Sequence, residues 1–499
     1  MKIAILILLF TIALNTQTNW YVDIENTSGN YDGQGWATAW TNMDSIRTGN
    51  TGVNWSIMEA GDTIYVSGGT DSTTYPGGQV VRGTTPYPCF DPPVVICPSW
   101  ESNYNGDVWF VNTDSTQRCF NVSFISGIKV TGFNFKRGNN LTSDFLSNPE
   151  GRLLFIMEED SFVTIENCNL YSSLGQGGAI AMYGAKHTIN NCLIDIAENT
   201  NPHEQDPIGG GGTTDPNTGG YTITNNRVFY RPHSTDTSAH RDLIHINYFG
   251  SDAQLTTTIA NNIMIMDAPY SADVNSGIYT TTRALPNRFL IYNNIIISNA
   301  RSGGSLINIQ GLGDGQTTVE AYNNTLIGHD GQTVAFAQPG EDERDSLIFK
   351  NNINVLDTFM VTQMIKISNT TTQYDSCVYD IDYNFWSKTG GYVYPGNFGY
   401  TGDYYDWGEW AIEGHDVNSD SGSVTFTNIY DTLAASYYTE QGRNAGVDLS
   451  GVSIPTTSYT GTAIPPLTED ILGNARGTNW DMGALEYQTG KTIWFINNE

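Results

Sequence analysis

The chain has 499 residues, with 52 acidic against 22 basic side chains and a formal net charge of −30 at pH 7. That balance excludes nucleic acid as a partner, because phosphate is repelled at long range. It also opposes any polyanion unless salt, a bound cation or a local basic patch offsets the field. With 52 glycines, 28 tyrosines and abundant Thr, Asn and Ser, the composition favours strands and turns over surface helices.

Residues 3–14 form an apolar run after Met1 and Lys2, the size of a signal-peptide core and too short to span a bilayer. Residues 1–18 are therefore expected to be an export signal, with the mature chain beginning between Asn15 and Trp20 and working outside the cell or at its surface. No later apolar stretch is long enough for a membrane span. Residues 19–75 are expected to hold an N-terminal cap and the first strands, with an amphipathic helix around Trp36 to Arg47. Six cysteines (Cys89, Cys97, Cys119, Cys168, Cys192, Cys377) are sparse for this length. Disulfides would be optional, Cys89 and Cys97 being the natural local pair, and the absence of Cys-x-x-Cys argues against structural zinc.

From about residue 160 one unit recurs: a few β-formers, an Asn-Asn or Asn-Cys pair, then mostly apolar residues. Copies include Thr164-Ile-Glu-Asn-Cys-Asn-Leu-Tyr171, Thr222-Ile-Thr-Asn-Asn-Arg-Val-Phe229, Leu290-Ile-Tyr-Asn-Asn-Ile-Ile-Ile297 and Ile348-Phe-Lys-Asn-Asn-Ile-Asn-Val355. The second member of each pair falls at 168, 192, 226, 262, 294, 324 and 352, so the steps are 24, 34, 36, 32, 30 and 28. A fixed motif with variable steps is what a solenoid produces, since packed strands are kept while loops change length. Asparagine suits the bend because it tolerates the left-handed conformation and its amide bonds to the same group one coil away. Cys168 and Cys192 share one motif position and are expected to stack as small buried residues.

Between Gly390 and Gly414 the Tyr and Trp content rises, suggesting a surface excursion whose Tyr404 and Trp407 are candidates for stacking on sugar rings. The solenoid is expected to span 76–488, with a closing segment at 470–488 and a tail at 489–499.

The Asn-Asn repeat over about 160–360 resembles the right-handed parallel β-helix proteins, the superfamily that includes pectate-lyase-like enzymes. The opening stretches Trp20-Tyr-Val-Asp23, Gly35-Trp-Ala-Thr-Ala-Trp40 and Ala60-Gly-Asp-Thr-Ile-Tyr-Val66 look like the entry segment of such helices. Asp470-Ile-Leu-Gly-Asn-Ala-Arg476 with Asp481-Met-Gly-Ala-Leu-Glu486 looks like their closing segment. The resemblance implies an all-β solenoid and leaves function open, because the scaffold carries lyases, hydrolases, epimerases and non-catalytic adhesins.

Four of the seven histidines, His203, His233, His240 and His245, lie between 203 and 245, on coils lengthened by insertions. In Ala239-His-Arg-Asp-Leu-Ile-His-Ile246, alternation sets Asp242, Ile244 and Ile246 on one face and Leu243 and His245 on the other. His-x-Asp ahead of a strand resembles a segment of glycan-active β-helix enzymes. In that scheme His240 or His245 is acid or base, Asp242 its carboxylate partner, and Arg241 stabilises a sugar carboxylate or an enolate, with His233 beside them. Arg227 and Arg231 are candidates for binding substrate or, with Lys186 and Arg241, for acting as a lyase base. A glycoside hydrolase would instead pair carboxylates, such as Asp236 with Asp242 or Glu204 with Asp206. Ca2+ is a candidate cation for these carboxylates or for the loop Glu341-Asp-Glu-Arg-Asp345. The expectation is an exported protein with a polysaccharide partner, lyase-like. The alternatives are a non-catalytic adhesin or structural solenoid, or a virion receptor-binding spike.

Overall fold

In the computed structural model residues 17–486 are described except 44–51, 84–87, 113–117, 138–151, 158–159, 173–177, 197–205, 212–218, 232–240, 248–254, 268–274, 283–286, 299–304, 312–316, 329–331, 339–345, 357–363, 370–377, 389–395, 399–402, 406, 413 and 425–442. The expected signal segment, the tail and Cys377 thus lie outside the described residues.

The described chain winds through three sheets of 12 strands each, and successive coils add one strand to each sheet in turn. The first sheet runs from Asn19–Val22 to Val378–Asp382, the second from Gln79–Arg82 to Asp403–Tyr405, and the third from Ser72–Pro76 to Asp420–Ser421. All neighbouring strands pair in parallel except Gly396–Phe398 with Asp403–Tyr405, which are antiparallel. This is a parallel β-helix.

Parallel in-register pairing stacks like on like. Ile165, Ile189, Ile223, Ile259 and Ile291 form one continuous column in the first sheet, followed by Ala321, Phe349 and Ile381. All are buried, and each such isoleucine contributes about 1.5–3 kcal/mol relative to exposure.

The asparagine pair makes the corner between the first and third sheets, and its two members do different work. Asn167, Asn191, Asn225, Asn261, Asn293, Asn323 and Asn351 have φ between 51° and 60°, the left-handed turn that redirects the chain. The next residue points inward, giving a buried column of Cys168, Cys192, Asn226, Asn262, Asn294, Asn324, Asn352 and Asn384. Asn294 shows the pattern: its Nδ2 donates to Ile259 O at 2.8 Å and Asn324 Oδ1 at 3.0 Å, while its Oδ1 accepts from the N–H and Nδ2 of Asn262. The column ends at buried Asp416, which accepts from Asn384 Nδ2 at 3.0 Å and Trp410 Nε1 at 2.7 Å. Cys168 and Cys192 begin it as free, buried thiols.

Residues 443–486 lie along the flank of the stack. Leu449, Ile464, Leu467 and Trp480 pack on Leu290, Tyr292 and Tyr322 of the first sheet, and Met482, Ala484 and Leu485 on the outward isoleucines of the third. Arg476 is buried beneath this strap, donating to Asn293 Oδ1, Gly483 O, Asp481 O and Glu486 Oε2. The corner asparagines anchor it further, Asn293 Nδ2 donating to Glu469 O and Asn351 Nδ2 to Val447 O.

Two expectations need correction. Of the helix expected around Trp36 to Arg47, residues 44–47 lie outside the described residues, and over 36–43 a single 3-10 turn, Trp36–Thr38, stands in its place. The chain is then drawn into extended pairing, because Trp40 N donates to Tyr21 O and Trp40 O accepts from Asp23 N, with its ring stacked on Trp20. Cys89 and Cys97 do not pair: both are free and lie in one strand, Cys89–Pro98. Cys89 pairs with Ser126 and Ile96 with Val130 on the next coil, four residues on, so the two cysteine Cα atoms stand on the order of 15 Å apart, beyond disulfide reach.

Replacing Asn294 by Ala strips partners from Ile259 O and from two donors of Asn262, all buried. At about 1–3 kcal/mol for each orphaned group, Asn294→Ala should lose roughly 3 kcal/mol or more in urea denaturation. A loss below about 1 kcal/mol would show that the column is not a structural determinant.

Candidate functional site

The strand Arg241–Asn247 lies in the second sheet between Ile208–Gly211 and Asn275–Thr282. Ile208, Ile244 and Ile278 are register partners facing the core, and two residues before them stand Asp206, Asp242 and Ser276. These three are laced by backbone donors: Asp242 N–H to Asp206 Oδ1 and Ser276 N–H to Asp242 Oδ1, both at 2.9 Å. One oxygen of each carboxylate is thereby fixed, and the other turns to His245, whose Nδ1 is 3.2 Å from Asp206 Oδ2 and 3.1 Å from Asp242 Oδ2.

Asp242 is fully buried, and Asp206 and His245 keep only a small exposed fraction. Burial by itself disfavours the His245 imidazolium, but the hydrogen bonds and charges of Asp206 and Asp242 outweigh it and hold the pKa up at about 11. Burial also raises the Asp206 carboxyl, an effect that the imidazolium and the Asp242 N–H offset only in part. His187, a second buried histidine, contrasts with it. Its Nδ1 accepts from Val163 N–H, Nε2 donates to Tyr183 O, and burial pushes its pKa down to about 4. One histidine is a neutral structural bridge and the other a charged centre.

On the outward face of the second sheet, one register row runs Asn121, Phe155, Ala181, Gly209, His245, Tyr279 and Asn308. Beside it run Gly211, Asn247, Thr281 and Gln310, and Tyr279 OH donates to Gln310 Oε1 at 3.1 Å. The His245 ring meets Tyr279 edge-on at 4.8 Å. Toward the N-terminal coils the Arg118 guanidinium lies 3.3 Å from the Phe155 ring centroid, and Arg152 donates to Tyr183 OH at 2.9 Å.

Of the expected site residues, the structure brings together Asp242 and His245. His203, His233, His240, Glu204 and Asp236 lie outside the described residues, and Arg241 is placed by its backbone alone, at the head of the strand. Arg227 and Arg231 are on and just beyond a strand of the third sheet, a different face from His245, and Arg231 is ion-paired with Asp195. Tyr404 lies in the antiparallel edge strand and Trp407 starts the short helix Trp407–Ile412. The loop Glu341–Asp345 lies outside the described residues. Strict alternation fails at Leu243, which is buried in the core although the pattern set it beside His245.

Asp206 was legible only as a partner for Glu204. A second repeat, Asp206-Pro-Ile208, Asp242-Leu-Ile244 and Ser276-Gly-Ile278, aligns it with Asp242, but long variable insertions between copies hide that register.

The calcium expectation bears on this triad only through its described donors, since Glu204, Asp236 and the loop Glu341–Asp345 lie outside the described residues. Ca2+ takes 6–8 oxygen ligands, and among the described residues this point offers two carboxylates and an imidazole nitrogen.

No protein-family model matches the chain, and a search of curated proteins finds no relative. Among solved structures, similarity is found to a pectate lyase, Pel9A, at 15% identity over 95% of this chain and 98% of that one, with a TM-score of 0.42. XylC in complex with xylose aligns at 10% identity over 94% and 98%, with a TM-score of 0.43. A rhamnogalacturonan lyase aligns at 11% over 74% and 87%, with a TM-score of 0.36. The fold is that of a β-helix repeat protein, and the functional reading rests on this chain's own residues. No helix among the described residues is long and apolar enough to cross a membrane.

Because His245 has a folded pKa near 11, above its ordinary 6.5, its contribution to stability is complete below about pH 6.5 and is lost as pH rises toward 11. An NMR titration should therefore find one imidazole that stays protonated through about pH 9 and is missing in His245→Gln. If His245 titrates near 6.5, the ion triad is not formed.

Proposed function

We propose that the chain is an extracellular, polysaccharide-engaging β-helix whose glycan lies along the outward face of the second sheet, centred on His245. The observation that carries this is the register row from Phe155 to Tyr279, where aromatic rings stand on either side of the small residues Ala181 and Gly209. Four coil steps of about 4.8 Å set the two rings roughly 19 Å apart along the axis, a length suited to an extended chain rather than a compact metabolite. Aromatic faces pack on pyranose rings, and the half-buried side-chain amides of Asn247 and Gln310 supply hydrogen-bond partners beside them. Arg118 and Arg152 give the face a local positive charge in a chain that is strongly acidic overall.

A lyase-like step on this track needs a proton acceptor and a cation near the sugar carboxylate. An imidazolium held near pKa 11 is a charge rather than a base at neutral pH, so His245 would orient or neutralise. His240 or His233 would accept the proton, and Arg241, next to Asp242 in sequence, would stabilise the developing charge. A hydrolase would use the aspartates differently, and an adhesin would use the track alone.

A panel of neutral and acidic glycans, read by binding, by absorbance of unsaturated products and by reducing ends, separates these outcomes. Tyr279→Ala and Tyr183→Ala should each weaken binding about tenfold, or about 1.4 kcal/mol, with little change in melting temperature. His240→Ala should abolish product formation while binding persists. Unchanged binding in both tyrosine variants would remove the track, and binding without any product would leave the adhesin.

A further inference from the structure

We propose that Asp206, Asp242 and His245 form a binding site for a first-row divalent metal ion of the Zn2+ class, at the outer rim of the second sheet. The site goes beyond the glycan reading and does not depend on it. One oxygen of each carboxylate and one imidazole nitrogen lie within 4.8 Å of one another. The nitrogen is 3.2 Å and 3.1 Å from the two oxygens. Ligands that sit about 2.0–2.2 Å from Zn2+ are themselves about 3.0–3.5 Å apart, so the two nitrogen–oxygen edges already have the spacing of a coordination polyhedron.

Two further observations point to a ligand there. The remaining oxygen of Asp242 is held by the N–H of Ser276, a group outside the triad, which aims the other oxygen at the centre as outer partners of metal carboxylates do. On the preceding coil, the register partner of His245 is Gly209, where an added Cβ would meet nothing nearer than Ile180 O at 3.9 Å. The register position beside the imidazole on that coil thus carries no side chain, so a further ligand oxygen would meet none there. The donor set selects the metal. One imidazole with two carboxylates suits Zn2+, with Mn2+ next, and among the described residues the set has neither the thiolates that favour softer ions nor the many oxygens that Ca2+ takes. On binding, the metal takes the Nδ1 position and the proton there passes to solvent.

The test is calorimetric titration of ZnCl2 into the chelator-treated full chain with no glycan present, alongside Asp206→Asn, His245→Gln and a CaCl2 titration. The expected result is one Zn2+ per chain, at least 100-fold weaker binding in each variant, and no competition from Ca2+. X-ray absorption on the Zn2+-loaded wild-type chain serves whether or not the variants fold, and should show one imidazole with oxygen neighbours at about 2.0–2.2 Å. Absence of uptake, equal affinity in the variants, displacement by Ca2+, or sulfur or several imidazoles in the absorption spectrum would each overturn the site. Because no sugar enters these measurements, their failure leaves the glycan track standing, and loss of glycan binding in Tyr279→Ala leaves the metal site standing.

Discussion

In-register stacking of parallel strands is the constraint on which the rest of this molecule depends. Each coil finds its backbone partners only in the coils before and after it, so a buried polar side chain at a corner must also be satisfied one rung away. The asparagine column meets this condition with a group that is donor and acceptor at once. An amide passes a hydrogen bond to the next amide and a second to a backbone carbonyl, and the pattern repeats from Asn226 to Asn384. Where it stops, the termini differ in chemistry: thiols of Cys168 and Cys192 at one end, and the acceptor-only carboxylate of Asp416 at the other.

The candidate site obeys the same rule at a corner of the second sheet. Asp206 and Asp242 each accept the backbone N–H of the following coil, as an amide oxygen would, so one carboxylate oxygen is structural. A carboxylate has a second oxygen and no donor, and here that surplus acceptor is turned on His245. The site is therefore a ladder position with its charge changed rather than an addition to the fold. Its neighbours on the outward face inherit rigidity from the same stack, which places Phe155, Gly209, His245 and Tyr279 on one line with no loop to position them.

How much of this the sequence discloses follows from where the repeat is regular. The Asn pairs recur because the corner between the first and third sheets has almost no freedom in length, so their spacing exposes the solenoid and the column directly. The second-sheet strands follow loops of very different length, and their Asp-x-Ile and Ser-x-Ile signals do not line up until the register is known. That is why Asp242 and His245 stand out by local pattern while Asp206, whose partner is 36 residues away, does not. Arg227 and Arg231 failed to join the site for a related reason: proximity in sequence to His245 crosses from the third sheet to the second, and so from one face to another. The helix expected at Trp36 shows tertiary context overriding a local pattern, because the open edge of the first strand offers Trp40 backbone partners that a helix would forgo.

The two stacked carboxylates also explain why a positive charge belongs at this point of a chain whose net charge is −30. Their facing oxygens lie no more than 4.8 Å apart, and two full charges at that separation repel by on the order of 3 kcal/mol at an effective dielectric of about 20. Asp242 has no solvent exposure through which to dissipate that field. An amide column has no such problem, since neutral groups with complementary ends attract in the same geometry. Exchanging amide for carboxylate on consecutive rungs therefore turns a self-sufficient ladder into one that is incomplete without a cation. His245 is a cation that the chain provides there, its Nδ1 within 3.2 Å of both oxygens, and any other cation that occupies the position must meet the same two oxygens.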